Sequence, residues 1–432
     1  LHGPIGCGAG MHGLALQSAK GKAQRGLAPE KPVWLSTNLK ETDVIGGGEQ
    51  KLRNTILYAD RTFTPDIIFV VSTCAPNIIG DDVEEVVREA RLSASADVVS
   101  LHCPGFKSRV VASAYDAFYH GLLRHVSFEP NEDKSGERLL YGREMYEQRR
   151  RFENARTVNL WNATSIGAAD EEELTRLLGA LGLRVRVCAE YSSRDKLRRV
   201  SEAALNISMC NVHDDYILKY LKEKYGTSYV IAGMPIGPQA TRQWLLAIAR
   251  HFEQEEQASR LADAEEAAVK PAAEPFLKTL RGKRVLIGGG VVRVGVEARL
   301  LAELGMEVLG VRLYHYDDGA APVLEETVRA LPDAHFSVSN QAFELVNQIK
   351  RLKPDLVVTH NGTHGQAARA GAASVQLFSA DGAFFGYSGY FALVRRLTQS
   401  LKNTSYQKRL SQHARLPYRE SWYERDAFSY VF

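Results

Sequence analysis

The chain has 432 residues, 54 Lys and Arg against 51 Asp and Glu, a formal net charge of +3 and 45% hydrophobic residues. That length suits two to four α/β domains of roughly 100–200 residues each. The balanced charge, without long basic runs, offers no nucleic-acid face, and no apolar stretch reaches the ~18–20 residues of a membrane span. No charged-then-apolar leader opens the chain. Its five cysteines, Cys7, Cys74, Cys103, Cys188 and Cys210, are too sparse for a disulfide framework. A reducing, cytoplasmic setting is expected.

Apolar β-rich runs alternate with helical periodicity. Residues 66–73 read as a buried parallel strand, 81–92 as a helix with an acidic first turn, and 97–103 as a second strand. Strands are expected at 156–162, 184–189, 205–210 and 228–231, with helices at 170–181, 195–204, 214–225 and 237–251 between and after them. The Arg- and Glu-rich stretch 133–155 reads as a surface helix or domain crossing, and the Glu/Ala-rich 253–274 as a solvated helix bridging domains. A third unit opens with a strand at 284–290, runs through a glycine turn and a helix to Gly305, and continues through segments 306–313, 341–352, 355–359 and 374–377. The aromatic tail 418–432 is too apolar to be free. Repeated βα units imply parallel sheets with ligand crevices at the carboxyl ends of strands.

Three cysteines stand in Gly/Pro turns or at strand ends: Cys7 after Gly3-Pro-Ile-Gly6, Cys74 in Ser72-Thr-Cys-Ala-Pro76, and Cys210 closing Leu205-Asn-Ile-Ser-Met-Cys210. That placement suits iron–sulfur ligation better than disulfide pairing. Cys188 reads as core, and Cys103, before Pro104, is open to either role. The Gly288-Gly-Gly290 turn lacks the spacing of a dinucleotide fingerprint, and neither a P-loop nor a nucleophile elbow occurs. His315, His360 and His364 lie near strand ends without a third ligand at zinc spacing.

Gly3-Pro-Ile-Gly-Cys7, Ser36-Thr-Asn-Leu-Lys-Glu-Thr-Asp43 with Gly46-Gly-Gly48, Ser72-Thr-Cys-Ala-Pro-Asn-Ile-Ile-Gly-Asp-Asp82, Cys103-Pro-Gly-Phe-Lys107, Cys210-Asn-Val-His213 and the Gly288 turn follow one another in an order that resembles the nitrogenase component 1 superfamily, on its α-subunit side. The likeness runs over essentially the whole chain. It implies an α/β fold of three similar doubly wound parallel-sheet (Rossmann-like) domains around a metal-cluster crevice. Their expected bounds are 1–152 with the interfacial-cluster cysteines, 153–275 with Cys210 and 276–400 with the glycine turn, followed by a tail, 401–432, packed on the body or a partner. By this resemblance Cys7 and Cys74 match α-side ligands of an eight-iron interfacial cluster of P-cluster type, a third ligand being expected before Leu1. Cys210 matches the cysteine at one pole of a second, larger iron–sulfur cluster. Gly289, Gly290 and, with a one-residue insertion, Arg293 match contacts to that cluster or its organic ligand. The implied partners are a β-type homologous chain, in an α2β2 heterotetramer, and a separate ATP-hydrolysing iron protein, working anaerobically.

Departures from the family pattern fall around the second cluster. The histidine expected at its other pole falls on Phe378, the pocket glutamine and histidine fall on Val111 and Tyr115, and residues 8–15 hold no arginine. These changes speak against a dinitrogen pocket. They suit an all-iron, precursor-type cluster, or a ligand swap to His360, His364 or His12. The leading expectation is a catalytic subunit cleaving C–S bonds of small organic thioethers, as in methylthio-alkane reductase. The alternatives are a nitrogenase cofactor-assembly scaffold and a tetrapyrrole reductase subunit, the last disfavoured by the retained Cys210.

Overall fold

Two, four and five strands make up three sheets in the computed structural model, which describes residues 1–9, 11–107, 112–129, 143–163, 167–359, 363–376 and 382–424. The chain divides into two compact units. One comprises Leu1–Ile166, Leu183–Ser208 and His213–Val230; the other comprises Gly167–Gly182, Met209–Val212 and Ile231–Phe432.

The first unit holds two sheets. Strands β1 (Ile67–Ser72) and β2 (Asp97–His102) pair in parallel, and His2 adds a parallel bridge to Ser72. β1 is an unbroken apolar run ending in serine, of which Val70 and Ser72 are buried and Phe69 is exposed. The helix Val83–Ala90 begins where Asp82 accepts a hydrogen bond from Glu85 N, and it buries Val83, Val86, Val87 and Ala90 at i, i+3, i+4 and i+7. The second sheet has the order β4-β3-β5-β6, with β3 (Thr157–Trp161), β4 (Arg184–Cys188), β5 (Leu205–Ser208) and β6 (Ser228–Ile231). Its central strand β3 is buried along its whole length and pairs in parallel with β4 and β5. The order reverses between β3 and β5, so a crevice opens at their carboxyl ends. Within this sheet Asn206 Oδ1 accepts from Asn159 Nδ2 at 2.8 Å and from Trp161 Nε1 at 2.9 Å, which satisfies these buried groups.

The second unit carries the five-stranded sheet, in the order β11-β10-β7-β8-β9. Its strands are β7 (Arg284–Gly289), β8 (Glu307–Leu313), β9 (His335–Val338), β10 (Leu356–Thr359) and β11 (Ala373–Gln376), all paired in parallel. Here the order reverses between β7 and β10, which places the glycine turn at a switch point. The Glu/Ala-rich stretch forms the expected helix, Glu255–Leu280, but it lies wholly inside the second unit and packs one face. It packs on the helices Pro238–Ala249 and Gly386–Lys402 and buries Ala258, Ala262, Ala273 and Leu280. Small side chains let those helices approach closely, so a surface rich in charge still hides one packed face. No helix among the described residues is long and apolar enough to cross a membrane.

The sequence reading assigned no helix at Glu49–Phe63, Ala112–His125 or Gly386–Lys402, although Gly386–Lys402 buries Tyr387, Tyr390, Leu393, Val394 and Leu397 at helical spacing. The expected helix at 195–204 is shorter, Arg194–Arg198 followed by a 3-10 turn at Val200–Glu202. Of the tail, Tyr418 and Trp422 set their rings against Phe343, and Asn347 Nδ2 donates to the Trp422 carbonyl at 3.0 Å.

Candidate functional site

The N-terminal motifs converge on one buried imidazole. His2 N donates to Val71 O at 2.9 Å and Thr73 N to His2 O at 3.0 Å, so the first residues run beside β1. The ring of His2 lies 3.1 Å from Thr37 Oγ1 through Nδ1 and 3.0 Å from Asp81 Oδ2 through Nε2. Burial lowers its pKa, against the upward pull of the Asp81 hydrogen bond, which keeps the ring neutral near pH 7. Thr37 Oγ1 also accepts from Gly3 N at 3.0 Å, and Asp81 Oδ1 from Gly48 N at 2.9 Å. A β-carbon on Gly3 would sit 2.1 Å from Thr73 Oγ1, and one on Gly48 2.7 Å from Asp81 Oδ2 and 2.9 Å from His2 Cε1. Gly3 and Gly48 are therefore required by close packing around His2.

Both N-terminal cysteines leave this knot. Cys7 lies in the 3-10 turn Ile5–Gly8 and is exposed; Cys74 opens the helix Cys74–Ile79, next to Thr73, and is half-buried. The loop after β2 closes over Cys74, where a β-carbon on Gly105 would lie 3.4 Å from its Sγ. Ile5, Val44, Ile45, Ile78 and Phe106 stand exposed on the same segments, and the helix Glu41–Gly46 packs on Cys74–Ile79. Exposed apolar side chains gathered around a thiol mark a surface made to be covered. Cys103 is half-buried, with Sγ 4.0 Å from Ser113 O.

Beyond β5 the chain reaches Cys210 two residues later, and that cysteine is buried. The adjacent Asn211 donates to Gly319 O, which seats the loop after β8 against this segment. The ring of Tyr115 stacks on His213 at 4.1 Å and 10°, and His213 Nδ1 lies 2.7 Å from Asn162 Nδ2. Tyr115, Phe118, Tyr119, Ala189 and Glu190 line a cavity of about 290 Å³. Behind it Asp214 is fully buried, accepting from Tyr119 OH at 3.0 Å and from Ser208 Oγ at 2.5 Å. Desolvation pushes its pKa up to about 7, against the lowering by those two hydroxyls.

A stability profile reads that carboxyl directly. Its folded pKa lies above the unfolded value, so its contribution is complete below about pH 4 and is lost as pH rises through 7. The loss amounts to roughly 4 kcal/mol at most. Asp214→Asn, which keeps both hydroxyls satisfied, should flatten that part of the profile in denaturant titrations between pH 4 and 8. An unchanged slope would contradict the burial argument.

In the second unit the glycine turn closes β7. A β-carbon on Gly288 would meet Arg312 Cβ at 3.4 Å and Tyr314 Cε1 at 3.6 Å, Gly289 is buried, and Gly290 faces open space. Tyr314 OH reaches Thr359 Oγ1 at 3.0 Å and Thr363 Oγ1 at 3.4 Å, linking the ends of β8 and β10. Arg293 sits in the first turn of the helix Val291–Glu303, its guanidinium 4.9 Å from the Phe385 ring centroid and 3.8 Å from Glu297. His364 opens the helix His364–Arg369 with Nδ1 2.6 Å from Ser374 Oγ, and His315 is half-buried with its pKa lowered by desolvation. Val111, His360 and Phe378, and the side chain of His12, lie outside the described residues. Among the described residues no three His, Cys, Asp or Glu side chains stand together as a metal site. Cys188 is buried in the core, its thiol pushed up to about 12 by desolvation, as expected of a structural cysteine.

The model of the nitrogenase component 1 type oxidoreductases matches residues 1–402. The chain belongs to that family. Among curated members, the nitrogenase molybdenum-iron protein alpha chain of Methanothermobacter marburgensis is 26% identical, over 93% of this chain and 83% of its own. The nitrogenase iron-molybdenum cofactor biosynthesis protein NifE of Methanococcus maripaludis is also 26% identical, over 91% and 78%. The NifE of Klebsiella pneumoniae is 25% identical over 97% and 88%. The solved structure "Nitrogenase Cp1 at pH 5" superposes with a TM-score of 0.75 at 21% identity, over 97% of this chain and 86% of that one, which shows the shared fold. Within this nitrogenase-like family, enzyme subunits and cofactor-biosynthesis proteins lie equally near. Sequence reading assigned no role to His2, Asp214 or Glu297. His2 directly precedes the Gly3–Cys7 motif, and Glu297 stands at i+4 from Arg293, the spacing of a helical ion pair.

Proposed function

We propose that the chain is the α-type subunit of a nitrogenase-like, iron–sulfur-dependent reductase that cleaves C–S bonds of small organic thioethers. It acts with a β-type homologous chain in an α2β2 assembly and with an ATP-hydrolysing iron protein. The observation that carries this reading is the His2 knot, from which the segments bearing the exposed Cys7 and the half-buried Cys74 both depart, with exposed apolar side chains on those segments. Two thiols with no third ligand beside them among the described residues fit an iron cluster completed by a second chain. Cys210, buried beyond β5, suits a second cluster kept from water. An iron–sulfur cluster bound at these thiols would supply low-potential electrons, tuned by burial and hydrogen bonding.

The net reaction takes two electrons and two protons, converting R–S–CH3 into R–H and CH3–SH. The chain's own residues hold the proton and exclude water. Asp214 lies behind Tyr119 in the wall of the 290 Å³ cavity, with a pKa of about 7 that lets it take and return a proton near neutral pH. The apolar lining from Phe118 and Ala189 suits a methylthio group.

A second reading is favoured by the NifE relatives at equal identity and by Phe378 in place of a pole ligand: a scaffold that holds a cluster precursor for another enzyme. Anoxic iron and sulfide quantitation with EPR on the complex tests both readings. Cys210→Ala should remove about half of the iron and keep the interfacial signal, whereas Cys74→Ala should lose that signal. Retention of all iron in Cys210→Ala would exclude a second cluster there. Hydrocarbon release from a thioether with iron protein and ATP supports the reductase; cluster transfer to an apo-nitrogenase, without release, supports the scaffold.

A further inference from the structure

Four charged side chains surround the loop 382–389 in the second unit. Asp170 Oδ1 accepts from Phe384 N at 2.6 Å and Phe385 N at 2.8 Å, and Glu173 Oε1 accepts from Tyr387 N at 3.0 Å and Ser388 N at 3.1 Å. Arg396 lies 3.7 Å from the Phe384 ring centroid and donates to Ala383 O at 2.7 Å, while Arg293 lies over Phe385. Glu297 completes the cluster, and it is unlike the rest. It is 1% exposed, and neither carboxyl oxygen accepts a hydrogen bond among the described residues. Its nearest charged neighbour is Arg293, at 3.8 Å on the same helix.

We propose that Glu297 acts through Arg293: standing 3.8 Å from the guanidinium that lies over Phe385 at the carboxyl end of β7, it sets how much positive charge that edge presents to an anionic ligand. This rests on the reading of the β7 edge as part of the ligand crevice. An ionised carboxylate at 3.8 Å would cancel most of the guanidinium's field in a site this dry, whereas a neutral carboxyl leaves it whole. The charged groups facing Glu297 are Arg293 from its own helix, Arg396 from the helix Gly386–Lys402 and Asp170 from the helix Ala169–Ala180. Desolvation outweighs both arginines and, helped by Asp170, pushes the carboxyl's pKa up to about 8. Glu297 is therefore mostly neutral at pH 7, and Arg293 keeps its charge. Above pH 8 the edge loses it.

Sulfate, whose own charge is constant across neutral pH, is the probe. It is titrated calorimetrically into the full chain from about pH 6 to 10, with infrared difference spectra recording the buried carboxyl. The wild type should bind sulfate about tenfold more weakly above pH 8 than below it. By linkage, saturating sulfate should then raise the carboxyl's midpoint by about one unit. Glu297→Gln should hold the low-pH affinity throughout and lack the titrating band, and Arg293→Gln should lose sulfate binding. A pH dependence that survives in Glu297→Gln, a wild-type carboxyl midpoint indifferent to sulfate, or no sulfate binding at any pH would each overturn the proposal. Iron loading at Cys210 tests the underlying reading separately, since it does not depend on the charge of Glu297.

Discussion

Gly3→Ala is expected to strip the interfacial iron while leaving every cysteine in the chain. The new β-carbon would stand 2.1 Å from Thr73 Oγ1, 2.8 Å from Thr73 Cγ2 and 3.0 Å from Thr73 Cβ. Threonine is stiff at χ1, so it cannot swing clear. Thr73 is also the residue from which the Cys74 helix starts, so whatever moves Thr73 moves Cys74. Overpacking of this kind costs about 1–3 kcal/mol, and here part of that cost appears as displacement of a thiol. Cluster geometry tolerates little misplacement, so interfacial iron should fall well below the wild-type level in anoxic quantitation. The double variant Gly3→Ala, Thr73→Ala removes the two closest clashing atoms and should recover most of the iron. Full loading of the single variant would show that the knot does not place Cys74.

Gly389→Ala should give the largest stability loss among the glycine substitutions in the second unit. Its β-carbon would fall 2.3 Å from the carbonyl carbon of Phe384, 2.6 Å from the carbonyl oxygen and 2.9 Å from Cα. All three are backbone atoms, and that backbone is pinned by the Asp170 carboxylate through two buried hydrogen bonds. Neither side can yield cheaply, so a loss of about 3 kcal/mol is expected in denaturant titration at pH 7. The displaced loop carries both rings beneath which Arg293 and Arg396 lie. The variant should therefore also weaken sulfate binding at pH 7. Gly179→Ala, in a helix where an added β-carbon meets nothing within 4 Å, is the control: it should leave sulfate binding unchanged and raise stability by up to about 1 kcal/mol.

The sheets were legible because buried parallel strands are short apolar runs. β1, β3, β5, β7 and β10 lie where such runs stand, with ends differing by a residue or two. Helices whose apolar residues are diluted by charge were not legible. Glu49–Phe63 presents only Leu52, Ile56, Ala59 and Asp60 inward; Glu255–Leu280 was legible as a helix, but its packed face, built mostly of alanines, was not. The cysteines could be read from their turns, since Gly and Pro announce irregular backbone. What the sequence could not show is why those turns stay together. Residues 2, 37, 48 and 81 form one hydrogen-bonded group, and nothing in their linear spacing reveals it. Buried carboxyls were equally hidden. Asp214 and Glu297 look like ordinary helix residues until burial moves their pKa values to about 7 and about 8.

The His2 knot also orders events in time. Its hydrogen bonds join residues separated by 35 and 79 positions, so its contacts are among the non-local ones whose loop closure must precede any gain. On a growing chain Cys7 emerges before Thr37 and Asp81, and the knot around His2 does not exist until Asp81 has emerged and β1 has formed. Iron arriving before that point would find a solvated, unorganised thiol. In the proposed reading, cluster capture would wait for the folded N-terminal sheet rather than for the first appearance of cysteine.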